Sequence, residues 1–327
     1  MARILVLALL LTLTAADALA AKPGLAWRDL VQVRKVFSPI ISDDGSWIAV
    51  EARPDRGDGE VVFRQVDGRR SWTIARGKSP MLSVDGRWGA AAEQPAFEER
   101  ETSDEPDTLV SFAVLVDLES GEQTRFENPE EFSFSADGRW FAVRVEAPEE
   151  DEDESADTTE EGEEEPEPRE AGSPLTVIRL TDGARFEYDD VKRLAWSSVA
   201  AWMAVVQETE TGLGNRLLVL GCGEGDPVES VVDAADSAAW TALAWAEELP
   251  VLGVVATDTR DPEDPVDARL LDYDAATGET VQRIKYDEVE MHWNLPPDNE
   301  ISFSRDGRFL YFGLREVADE PVEDEER

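Results

Sequence analysis

The sequence predicts an all-β chain: a β-propeller of four-stranded antiparallel blades, with five to six units present and the ring incomplete. Two observations carry that prediction. A ten-residue phrase occurs four times, as ISDDGSWIAV at 41–50, LSVDGRWGAA at 82–91, FSADGRWFAV at 134–143 and FSRDGRFLYF at 303–312. A second, weaker hairpin separates the copies, so that one repeat holds four strands. Four-stranded units recurring every 40 to 60 residues or so are the signature of a propeller. A β-sandwich with coincidental turns is the competing fold.

Taken from the N-terminus, residues 1–20 have the order of a secretory signal peptide: an early Arg3, an apolar run from Ile4 to Leu13, and Ala18-Leu19-Ala20 as the cleavage site. A retained anchor is the alternative, although the apolar run is short for a bilayer span. The mature chain is expected to run from about Ala21 to Arg327, secreted or periplasmic and free of the membrane once the leader is cut.

Each phrase reads as a hairpin. In Ser135-Ala136-Asp137-Gly138 the Asp bonds its own backbone and the Gly accepts positive φ, so the chain reverses. Trp140-Phe141-Ala142-Val143 then runs apolar on both sides, as a strand buried on both faces does. The expected repeat anchors are Asp44, Gly45 and Trp47; Asp85, Gly86 and Trp88; Asp137, Gly138 and Trp140; and Asp306, Gly307 and Phe309. LAWSSVAAWMAVV (194–206) and LAWAEELPVLGVV (243–255) are degenerate copies. The first contributes Trp202 as an anchor; in the second, Trp245 stands before its turn instead of after it. The second hairpins turn at Asp67-Gly68, Ser120-Gly121, Asp182-Gly183 and Thr277-Gly278.

Two insertions interrupt the units at the same relative place, which puts both on one rim. They cover about 93–108 and 148–174, and both are expected to be disordered. Between Glu149 and Glu170 fourteen residues are acidic and Arg169 is the only base, a run that repels itself. As a calcium loop it fails: DEDESADTTEEG has Ala156 at the glycine position and Gly162 at the final glutamate position.

The chain has 73 acidic and 31 basic residues, a net charge of −42, which excludes nucleic-acid partners and anionic membranes. That balance, with 26 of the bases Arg, matches a protein adapted to high salt. Cys222 is the single cysteine, so no intrachain disulfide forms. No G-x-S-x-G nucleophile elbow exists, and GCGEG (221–225) has Gly at the nucleophile position. His292 is the only histidine, which excludes a His-cluster metal site. GLGNR (212–216) lacks the strand–loop–helix setting of a phosphate loop. No catalytic residue, metal site or cofactor is therefore assigned.

The order of features from Trp27 to Phe312 resembles the propeller of secreted bacterial prolyl oligopeptidase-family serine peptidases. The similarity rests on WRDLVQVRKVFSPIISDDGSWIAVEARPDRGDGEVVFRQV, SPMLSVDGRWGAAAEQPAFEERE, FAVLVDLESGEQTRF and NEISFSRDGRFLYFG. The resemblance implies a propeller that caps an α/β-hydrolase domain and gates its serine site. No position here matches the family's catalytic motifs, so this polypeptide alone is not expected to hydrolyse peptides. The expectation is a truncated propeller portion whose partner is a C-terminal hydrolase domain missing from the chain. The alternative is a free-standing secreted propeller that binds a peptide or protein ligand.

Overall fold

The computed structural model describes residues 33–147, 171–258, 268–284, 293–297 and 299–316. The leader, residues 148–170 of the acidic tract, and His292 lie outside the described residues. The chain is an all-β propeller. Blade one is formed by Lys35–Ile41, Trp47–Arg53, Glu60–Gln65 and Ser71–Ala75. Blade two is Gly77–Leu82, Trp88–Glu93, Phe112–Asp117 and Gln123–Glu127. Pro129–Phe134, Trp140–Val145 and Ser173–Arg179 begin blade three. The thirteen-residue strand Ala184–Trp196 closes it and, past Asp190, becomes the first strand of blade four. Trp202–Gln207, Arg216–Gly221 and Val228–Ala234 complete blade four. Blade five is Ala238–Trp245, Val251–Asp258, Ala268–Asp274 and Glu279–Ile284. A last unit holds two short pairings, Ser302–Phe303 with Leu310–Tyr311 and Trp293–Asn294 with Arg315–Glu316.

Every pairing is antiparallel, and the second hairpins fall where their Gly-containing turns place them. Alternation along the strands decides which blade each side chain meets. Trp47 and Ala49 pack with Ala91, Val114 and Val116 of blade two. Ala90 and Leu115 of blade two meet Phe141 and Val143 of blade three. Trp140 and Ala142 meet Met203 and Val205 of blade four. Ala204 and Val206 meet Leu252 and Val254 of blade five, and Val255 meets Leu310 and Phe312 of the last unit. The second strand of each blade is therefore apolar on both sides, and its anchor face always looks to the following unit.

Between blades the chain crosses from the outer strand of one to the inner strand of the next. Arg76, Asn128 and Asp190 make the first three crossings with φ of 56°, 43° and 57°. Each carbonyl accepts a hydrogen bond from the residue that ends the new blade's second strand or just follows it: Gln94, Glu146 and Glu208. The polar backbone at each crossing is thereby satisfied.

The first insertion corrects the expectation of disorder over 93–108. Phe97–Thr102 is an α-helix and Pro106–Thr108 a turn of 3-10 helix. Glu98 and Glu99 sit in the helix's first turn, where carboxylates favour the positive end of the helix dipole. Arg56 of blade one lies 2.9 Å from Glu101 and stacks over the Phe97 ring, and the Phe97 amide donates to Asp58. The far end of the second insertion is also ordered, because Ser173 begins a strand.

Candidate functional site

The repeated phrase builds a closed hydrogen-bonded box in every full copy. In blade three the Ser135 hydroxyl donates to Asp137 at 2.7 Å, and the Trp140 amide donates to the Ser135 oxygen at 3.1 Å. The Arg139 amide donates to the same carboxylate at 3.1 Å. Ser42, Asp44 and Trp47 repeat this geometry, as do Ser83, Asp85 and Trp88, and Ser304, Asp306 and Phe309. Gly45, Gly86, Gly138 and Gly307 all take φ between 65° and 70°. Gly86 also has no room for a Cβ, which would stand 2.9 Å from Asp44 of the preceding blade.

The serines are the members of the box that the list of anchors omitted. Their signal was visible, since a Ser stands two residues before every Asp of the phrase. The Ser42 and Ser46 hydroxyls hold the Asp44 carboxyl below its usual range. Burial pushes Asp137 up, but Ser135 and Arg139 outweigh it and the net shift is downward. Ser304 and the Arg308 amide lower Asp306.

The anchors themselves differ. Trp140 is fully buried and Trp47 nearly so, while Trp88 and Trp202 are half-buried. Phe309 corrects the expectation of a buried anchor, since it is 62% exposed. The strand of Trp140 has a third strand beside it and a following blade over its anchor face. Among the described residues, Leu310–Tyr311 pairs only with Ser302–Phe303, and nothing covers the Phe309 side. In blade five the anchor position belongs to Val251. The Ala246 amide donates to its carbonyl just as Ser42, Ser83, Ser135 and Ser197 donate to Trp47, Trp88, Trp140 and Trp202. Trp245 stands one residue before that turn, with its indole N–H donating to the Ala195 carbonyl.

These boxes are scaffold, and the concave site lies on the inner strands of blades three to five and the last unit. A cavity of about 590 Å³ is lined by Glu131, by Lys192 to Ala195, by Thr241 to Leu243 and by Asn299 to Ile301, all on the innermost strands or beside them. Arg144 reaches in from the second strand of blade three. Its Nη1 lies 2.6 Å from the Glu130 carboxylate, and its Nη2 lies 3.9 Å from that of Glu131. The Ser173 hydroxyl donates to Glu130 at 2.7 Å. Burial pushes the Glu131 carboxyl up; Arg144 opposes this and Glu130 adds to it. A wider cavity, about 1270 Å³, shares Arg144 and Lys192 and is also lined by Glu105 and Thr108 of the first insertion, by Ala147 just before the second and by Ala171 within it. Arg144 Nε and Thr241 Oγ1 are buried and find no hydrogen-bond partner among the described residues.

This arrangement can hold a polar chain through its charged side chains. Among the described residues no group of three or more His, Cys, Asp or Glu side chains could hold a metal. Burial pushes the Cys222 thiol up to about 12, which keeps it protonated and inert. Sequence reasoning missed these residues because they come from short segments about 50 residues apart in the chain, and no linear spacing links them.

No protein-family model matches the chain, and no curated protein matches it in sequence. Among solved structures it is similar to the β-propeller domain of the Trilobed protease from Pyrococcus furiosus, at 16% identity and a TM-score of 0.41, covering 88% of this chain and 80% of that one. It is similar to prolyl oligopeptidase B from Galerina marginata at 12% identity and a TM-score of 0.43, covering 88% of this chain and 39% of that one. For Porphyromonas gingivalis dipeptidyl peptidase 4 the values are 14%, 0.44, 84% and 42%. The chain thus spans less than half the length of the last two, and at these identities the likeness is one of fold alone.

Proposed function

We propose that the chain is the N-terminal propeller portion of a secreted prolyl oligopeptidase-like serine peptidase. On this reading its channel admits extended peptides to a hydrolase domain and holds back folded proteins. The observation that supports it is the cavity: inner strands of blades three to five and the last unit line a concave site that bears Arg144, Lys192 and Arg193 beside Glu131. Such a site holds peptide through ion pairs and hydrogen bonds and leaves its cleavage to another part of the protein. The order of features from Trp27 to Phe312 supports the same reading. The catalytic serine, aspartate and histidine then belong to sequence outside these 327 residues, and the leader directs the protein out of the cytoplasm.

The coding sequence beyond codon 327 tests this. Further reading frame leading to a G-x-S-x-G elbow is the expected result. A stop codon followed by an unrelated gene would contradict it and leave the second reading, a free-standing propeller that binds a peptide or protein ligand.

A further inference from the structure

The first strands of blades three, four and five each carry one extra residue at the same point. Pro129 stands opposite Val145 and Glu131 opposite Arg144, so Glu130 has no counterpart. Val191 stands opposite Gln207 and Arg193 opposite Val206, which leaves Lys192 over. Trp240 stands opposite Ala256 and Ala242 opposite Val255, which leaves Thr241 over. These are β-bulges, which bend a strand and re-aim its side chains. In a regular strand, neighbouring residues point to opposite faces. In blade four Val191 and Leu194 both enter the core, and the two residues between them, Lys192 and Arg193, both line the 590 Å³ cavity. The bulge thereby brings two adjacent positive charges to one side of it.

The other charges of the cavity do not cancel this pair. Arg144 is already engaged within blade three, where it lies 2.6 Å from Glu130 and 3.9 Å from Glu131. Arg193 is exposed and makes no ion pair with a described residue. Three basic and two acidic side chains line the cavity, in a chain whose acids outnumber its bases 73 to 31. Exposed charges farther off than about 8 Å are largely screened at 0.15 M salt, so a bound group meets this local surplus more than the net charge of the whole chain.

We propose that Lys192 and Arg193 form a carboxylate-binding subsite, which takes the C-terminal carboxylate or an acidic side chain of an extended peptide. The planar guanidinium of Arg193 can meet both oxygens of a carboxylate, and Lys192 adds a second cation beside it. The inference rests on the reading of the cavity as a peptide site and names the group by which the peptide is held.

Calorimetric titration of the 327-residue chain with short peptides at 0.15 M sodium chloride tests it. Three acetylated peptides of alanine, glycine and serine share one sequence: one has a free C-terminal carboxylate, one is amidated, and one is amidated with a central serine replaced by glutamate. At least one carboxylate peptide is expected to bind about tenfold more tightly than the neutral amide, and which one does so tells a chain end from a side chain. Arg193→Gln removes the preference and Lys192→Gln weakens it, while both melt as the parent does. Arg70→Gln, at an exposed position of blade one, leaves it unchanged. Equal binding of all three peptides, a preference that survives Arg193→Gln, or one lost as fully in Arg70→Gln would overturn the subsite and leave the peptide reading standing. Binding of none of the three would overturn both.

Discussion

The Ser–Asp–Trp box ties the repeat together residue by residue. Its serine accepts from the anchor amide and donates to the aspartate, so neither polar group is buried unpaired. Ser135→Ala is expected to cost about 1–3 kcal/mol, since it strips a partner from a buried network, with the loss read by urea denaturation. Trp140→Ala is expected to cost ~3–5 kcal/mol, and Phe309→Ala under about 1 kcal/mol because its ring is already wet. Acid lability follows from the same boxes. Asp44, Asp137 and Asp306 have carboxyls lowered in the folded chain. A lowered folded pKa contributes stability that is complete above the unfolded value, near pH 4, and is lost as pH falls through the lower folded value. Thermal melts should therefore hold level from pH 6 to pH 5 and drop below about pH 4, with Asp137→Asn shrinking the drop. Cys222 should resist a disulfide reagent in the native chain and react once the chain is unfolded.

For single elements, the hairpins were legible in the sequence, because turn chemistry and strand alternation are local. Asp137-Gly138 announces its own reversal, and Trp140 to Val143 announce their burial. The degenerate copy at 243–255 was harder to align. Val251 occupies the anchor position through a backbone bond that any residue can make, while the conspicuous indole of Trp245 serves another place. The insertion at 93–108 misled for a different reason: its Glu101 pairs with Arg56 and its Phe97 amide donates to Asp58, both distant in sequence, while its Glu99 accepts from the Ala96 amide. The crossings between blades were silent in the sequence, because Arg76, Asn128 and Asp190 hold left-handed backbone without glycine. Asp190→Val should lose about 1–2 kcal/mol, and Asp190→Gly less than about 1, since only glycine takes that region without strain. Denaturation of the two variants side by side would show whether the shared strand depends on that bend.

Across the whole molecule, stability comes from stacked apolar interfaces working against a large like-sign charge. Salt should therefore raise the melting temperature between 0.1 M and 1 M sodium chloride. A melting temperature that is unchanged or lower would separate the acidic composition from any adaptation to salt. The central claim is that second and third strands are sealed on both faces in the interior blades, while the end units are open on one. Amide hydrogen exchange read by mass spectrometry tests it most directly. The account predicts the slowest exchange in 113–116, 140–143, 203–206 and 217–220, and fast exchange in 35–41 and 310–311. Protection at 310–311 equal to that at 140–143, or interior strands exchanging as fast as the turns between them, would contradict it.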